Sequence, residues 1–71
     1  YLGKEIAIKT EYLWKQNHTL PINVVLGNEW LAGNLSYHLN SRPVWEGLIT
    51  KDKLNSLSKF ICIDNICVGN R

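Results

Sequence analysis

The residues best suited to ligand chemistry lie at the corner Gly27-Asn28-Glu29-Trp30, after an apolar run. In open α/β sheets a ligand crevice forms where strands end and helices begin. Gly27 would let a ligand approach, and the free N–H groups of the following helix would attract an anion. An ordinary strand–helix turn with an Asn cap explains the same residues. A phosphate-binding Gly-x-Gly-x-x-Gly is absent, so a dinucleotide site has little support.

The two cysteines lie in the C-terminal sequence FICIDNICVG. If Asp64 and Asn65 form a two-residue turn, the flanking strands place Cys62 opposite Cys67, where side chains approach closely. A disulfide can form in that geometry, and it would imply an oxidising compartment. Two buried or free thiols are the alternative. The spacing C-x-x-x-x-C is not that of a redox or zinc motif, and we predict no metal site.

No pattern of residues predicts a catalytic centre in this chain. His38 has no recognisable serine or cysteine partner, and a half-exposed helix histidine is its simpler interpretation. Glu29, Glu46 and Asp52 do not suggest a carboxylate pair. We therefore predict neither a catalytic residue nor a cofactor.

The size and charge of the chain exclude several classes of protein. Its 71 residues make at most one small domain, which is marginally stable without a disulfide, a partner or a parent chain. The net charge is +2, and the basic residues are interleaved with acids, so no nucleic-acid surface is expected. The sequence contains no apolar run of about 18 residues, which is the length that a membrane-spanning helix needs. The start at Tyr1 and the absence of methionine suggest a piece of a longer protein.

The hydrophobic pattern predicts a single α/β domain over residues 1–71. The predicted elements are a helix over 2–17, a strand over 22–26, a helix from 29 to about 40, a strand over 44–45, a helix over 51–57, a strand over 60–63 and its hairpin partner over 66–69. A chain end without the hairpin is the alternative. Two strands joined by a helix form a βαβ unit. We therefore expect a small domain of two or three layers, with a short, mainly parallel sheet in the order 2-1-3, flanking helices and, in the first of these alternatives, a C-terminal hairpin.

The segment Gly27–Trp45, GNEWLAGNLSYHLNSRPVW, resembles part of certain bacterial membrane glycosyltransferases. These enzymes are relatives of the dolichyl-phosphate-mannose–protein mannosyltransferases and of the aminoarabinose lipid A transferases. The similarity consists of Gly–Asn/Asp–x–Trp, then Gly-Asn-Leu-Ser, then Ser-Arg-Pro, and it covers about a quarter of the chain. The matching residues are Gly27, Asn28, Trp30, Gly33, Asn34, Leu35, Ser36, Tyr37, Ser41, Arg42 and Pro43.

The resemblance implies a small α/β domain on the extracytoplasmic (periplasmic) face of the inner membrane, within a multi-pass membrane protein. Such an enzyme transfers a sugar from a polyprenyl-phosphate donor. Its acidic catalytic residues lie in loops of the membrane part and have no counterpart here, so the domain's expected role is accessory. The expected partners are the membrane part of the same parent chain and a glycan or polyprenyl-phosphate sugar.

A ligand site on such a domain would use the polar and aromatic side chains of the similar segment. Trp30 or Tyr37 would stack on a sugar ring, and Arg42 would pair with an acidic or phosphate group. The candidate ligand-binding residues are Asn28, Glu29, Trp30, Asn34, Tyr37, His38 and Arg42.

Two other hypotheses belong to different classes. The chain could be a free-standing interaction domain without a ligand, with a homodimer as one form. It could also be a small nucleotide-binding domain with its site at Gly27–Trp30. Membrane spans in the parent gene would favour the glycosyltransferase hypothesis over both.

Overall fold

The structure is a computed structural model that describes residues 2–71, apart from the side chain of Leu2. Its elements are α1 (Leu2–Asn17), β1 (Val24–Gly27), α2 (Glu29–His38), β2 (Val44–Trp45), α3 (Lys51–Asn55), β3 (Lys59–Ile63) and β4 (Ile66–Asn70). This succession agrees with the sequence prediction, including the C-terminal hairpin, and the ends of the elements differ by no more than two residues.

The four strands form one mixed sheet in the order β2-β1-β4-β3. Only β1 and β2 run parallel, whereas β4 pairs antiparallel with both β1 and β3. The predicted mainly parallel sheet in the order 2-1-3 is therefore wrong. The chain is a small α/β domain whose sheet is mostly antiparallel.

The sheet differs from the prediction because β4, the last strand in the sequence, lies between β1 and β3. β4 is buried from Ile66 to Gly69, whereas β3 begins at the exposed Lys59 and is exposed or half-buried along its length. A strand covered on both faces belongs in the interior of a sheet, so β4 takes the place beside β1. Asp64, with a φ of 53°, makes the tight turn that reverses the chain. β3 therefore lies at the edge.

Two apolar clusters occupy the two faces of this sheet. Val25 belongs to the larger cluster, and its neighbours Val24 and Leu26 belong to the smaller one. Because successive side chains of a strand point to opposite faces, the two clusters are separated by the sheet. Helices α1 and α2 contribute to the larger cluster, and Leu57, just after α3, contributes to the smaller one.

Helix α1 lies close to α2 because it presents mainly small residues. The buried positions of α1 are Gly3, Ala7, Thr10 and Trp14, which share one helix face. A Cβ atom at Gly3 would lie 2.7 Å from Oδ1 of Asn34, so any larger residue there would displace that side chain. At the other end, the Nε1 of Trp14 donates a hydrogen bond of 2.6 Å to the carbonyl oxygen of Leu20.

Gly27 ends β1 where the hairpin turn lies against it. Its φ is 138°, a conformation that side-chain-bearing residues rarely adopt, and a Cβ atom would lie 2.7 Å from the backbone oxygen of Asn65. Its N–H donates to the oxygen of Gly47 at 2.9 Å, and its carbonyl oxygen accepts from Nε1 of Trp45 at 2.9 Å. The fold itself therefore accounts for this glycine.

The hairpin has the register that the sequence predicts. Ile63 lies opposite Ile66, and Cys62 lies opposite Cys67. A disulfide bond joins Cys62 to Cys67 in the structure. Cys67 is buried in the smaller apolar cluster, whereas Cys62 is exposed at the edge strand.

Replacing Gly27 by alanine is expected to destabilise the domain by about 2–3 kcal/mol, because the new side chain strains φ and meets the hairpin turn. Urea unfolding followed by circular dichroism measures the change. An unchanged unfolding midpoint would show that the turn does not lie against β1.

Reducing the disulfide is expected to lower the free energy of unfolding by about 2 kcal/mol, the chain-entropy value for so short a loop. Urea unfolding with and without reductant measures this difference. Intact mass after alkylation without reductant should show no modified thiol. Two alkylated cysteines in protein exported to an oxidising compartment would rule out the bond.

Candidate ligand-binding groove

The first turn of α2 is closed by its own cap. Oδ1 of Asn28 accepts hydrogen bonds from the backbone N–H groups of Trp30, at 2.9 Å, and Leu31, at 3.3 Å. These are N–H groups that an anion at the helix start would use. Asn28 is thus a helix cap, and the structure gives no support to an anion site at this corner.

A shallow, mostly apolar groove with a volume of about 540 Å³ lies beside α2. It is lined by Lys4, Glu29, Trp30, Gly33, Asn34, Tyr37 and His38. All of these belong to α2 except Lys4, which comes from α1. Five of the seven candidate residues thus share one groove. Asn28 and Arg42 do not line it.

Two exposed aromatic side chains dominate this groove. Trp30 is 63% exposed and Tyr37 is 68% exposed. They are seven positions apart, which is about two turns or 10 Å along one helix face. Large aromatic rings are the side chains that a small core needs most, yet the fold leaves both in contact with solvent. They therefore form an exposed aromatic surface on the outer side of α2.

Gly33 lies between the two rings, and no packing contact explains it. A Cβ atom at this position would have nothing within 4 Å. Glycine in the middle of a helix costs about 1 kcal/mol relative to alanine. Because the described part of the chain gains no close contact from this glycine, its location favours the approach of another molecule to the helix backbone.

Asn34 and His38 hold defined positions along the groove. Nδ2 of Asn34 donates to the carbonyl oxygen of Trp30 at 2.8 Å, and its side chain packs against Gly3 of α1. The ring of His38 meets that of Tyr37 edge-on, with centroids 5.0 Å apart and planes at 85°. The groove wall is therefore ordered by contacts within the domain.

Arg42 lies outside the groove lining but contacts Tyr37, which is part of it. Its guanidinium carbon lies 5.3 Å from the centroid of the Tyr37 ring, within the range of a cation–π contact. Arg42 has a φ of 50°, so the chain turns sharply after α2 and brings this side chain back towards the helix. The contact steadies the tyrosine ring. Arg42 is therefore placed as a support for Tyr37 and not as part of the groove lining.

Sequence reasoning missed Lys4, which no local pattern connects with α2. It placed Trp30 and Tyr37 among the candidate residues, but not Gly33, which lies between them in the sequence. The spacing of positions 30, 33 and 37 on one helix face was sufficient to find it.

Comparison with known proteins identifies no relative. A scan against protein-family models finds no match, and searches of the curated proteins and of the solved structures find none. Within residues 2–71, no group of three or more His, Cys, Asp or Glu side chains is placed to hold a metal ion. In the same range, no helix combines the length and the apolar character needed to cross a membrane.

Replacing Gly33 by alanine is expected to stabilise the domain by about 1 kcal/mol, because the helix gains propensity and the methyl group meets nothing. Urea unfolding measures the gain. Gly3→Ala is the matched control on α1, and it should destabilise the domain because Asn34 occupies the space. A loss of stability in the Gly33 variant would reveal a packing role for this glycine.

Proposed function

We propose that this chain is an accessory periplasmic domain of a multi-pass membrane glycosyltransferase. Its groove would bind the sugar part of a glycan or of a polyprenyl-phosphate sugar. The resemblance of residues 27–45 supplies the enzyme class, and catalysis belongs to the membrane part of the parent chain. The observation that carries the binding role is the exposed pair Trp30 and Tyr37 with Gly33 between them.

The groove has the chemistry that a pyranose ring requires. A sugar ring has a C–H face that packs on aromatic rings, and hydroxyl groups that exchange hydrogen bonds. Trp30 and Tyr37 supply the aromatic faces, and Gly33 lets a ring approach the helix backbone. The lining also offers an amine, a carboxylate, an amide and an imidazole, from Lys4, Glu29, Asn34 and His38.

The shape of the groove indicates weak binding. Ligand sites with high affinity enclose most of their ligand, whereas this groove is open along its length. We therefore expect dissociation constants on the order of millimolar for a free sugar. Attachment to the membrane part would raise the effective concentration of its substrate, so a weak site would still be occupied there.

Titration with soluble disaccharides of glucose, mannose and N-acetylglucosamine tests this role. At least one is expected to shift the NMR signals of residues 29–38, and Trp30→Ala or Tyr37→Ala should weaken its binding about tenfold by removing a stacking face. Tyr12→Ala is the matched control. Tyr12 is 65% exposed on α1, outside the groove, and its loss should leave binding unchanged.

Unchanged spectra at high sugar concentration, or equal losses in the Tyr12 variant, would contradict sugar binding in this groove. The interaction-domain alternative rests on the same exposed aromatic residues. It predicts that the domain sediments as a dimer and that the substitution Trp30→Ala dissociates this dimer. The nucleotide alternative instead predicts shifts at Gly27–Trp30 when a nucleotide is added.

A further inference from the structure

A second exposed apolar feature lies in the connection between β2 and α3. Leu48 is 64% exposed and the adjacent Ile49 is 38% exposed. Gly47 turns the chain just before them with a φ of 102°. The cap residue Thr50 follows and begins α3. We call residues 47–49 the apolar loop.

Positive charge borders the apolar loop. Lys51 and Lys53 are exposed on α3, with Asp52 between them, so two cations and one anion leave an excess of one positive charge. Nζ of Lys53 lies in the space that a Cβ atom of Gly47 would occupy, which places the ammonium group directly beside the turn.

The nearest acid on the other side of the loop is already neutralised. Glu46 precedes the loop, and its carboxylate forms an ion pair with the guanidinium of Arg71. One of its two hydrogen bonds, from Nη1 of Arg71 to Oε2, is 2.9 Å long. The exposed surface around Leu48 and Ile49 is therefore apolar at its centre and weakly cationic at its border.

We propose that the apolar loop inserts into the surface of an anionic lipid bilayer, with Lys51 and Lys53 at the level of the headgroups. Adjacent aliphatic side chains on a turn can enter the boundary between headgroups and acyl chains. Lysines beside them attract anionic lipids. This inference does not rest on sugar binding in the groove.

A second copy of the chain fits the apolar loop less well than a bilayer does. A stable protein interface buries about 800 Å² on each partner. The apolar loop provides two exposed aliphatic side chains, and Val44 and Trp45 of β2 are the nearest exposed apolar residues in the sequence. A fluid bilayer needs no complementary shape.

Flotation of the domain with lipid vesicles at low salt tests the proposal. The domain should bind vesicles of equimolar phosphatidylglycerol and phosphatidylcholine at millimolar lipid. The double variant Leu48→Ser/Ile49→Ser should lower the partition coefficient about tenfold or more. The double variant Lys51→Gln/Lys53→Gln should lower it by roughly fivefold or more, with no such effect on pure phosphatidylcholine.

Ile8→Ser is the matched control, since Ile8 is 61% exposed on α1, and it should leave vesicle binding unchanged. Circular dichroism verifies that each variant is folded. In a separate variant, Leu48→Trp, brominated lipid in anionic vesicles should quench tryptophan fluorescence more strongly than it does in the unmodified domain, whose three tryptophans set the baseline. This substitution keeps the loop apolar, so its result does not depend on the serine variants.

Five results would overturn the proposal, and the first four come from the vesicle experiments. They are no flotation of the unmodified domain with anionic vesicles, an equal loss in the Ile8 variant, a loss in the lysine variant without one in the serine variant, and no more quenching in the Leu48→Trp variant than in the unmodified domain. A dimer in sedimentation velocity that the serine variant dissociates would also overturn it, because the loop would then be a protein interface.

Discussion

The pairing of β4 with strands on both sides is the interaction on which this small domain depends. β4 contributes Val68 to the larger apolar cluster and Cys67 to the smaller one, so both halves of the core meet at this strand. Its end is tied to the connection between α1 and β1, since Nδ2 of Asn70 donates to the oxygen of Pro21 at 2.6 Å. The last strand in the sequence therefore completes the sheet and joins the two clusters.

The position of β4 also determines which side of α2 faces the core and which side faces solvent. α2 turns Ala32 and Leu35 towards the core face that contains Val68, and its C-cap residue Leu39 joins the same cluster. The opposite side of α2 faces solvent and contributes nothing to the core. Helix α1 packs beside α2 through mainly small side chains. A polar outer face is what an isolated surface helix normally has. The aromatic residues on this face therefore need an explanation other than folding.

Local features of the fold were predictable from sequence, and the arrangement of the strands was not. The caps at Asn28 and Thr50 and the hairpin turn depend on residues close in sequence, so their chemistry identifies them. The strand order depends on which apolar strand is covered on both faces, which the composition of β3 and β4 does not reveal. In the same way, helix spacing brings five candidate residues into the groove, whereas Lys4 enters it through tertiary packing alone.

Several of the residues on which the proposed glycosyltransferase relationship rests fall into two groups in the structure. Gly27, Asn28 and Leu35 have positions that the fold explains, through a tight backbone contact, a helix cap and core packing. Trp30 and Gly33 have no such explanation, because the first is exposed and the second meets no neighbour. Residues that stabilise a fold would recur in any protein that shares it. Trp30 and Gly33 both line the groove, where the fold leaves them open to the ligand proposed above. The functional hypothesis therefore depends on this second group, and substitutions there separate binding from stability.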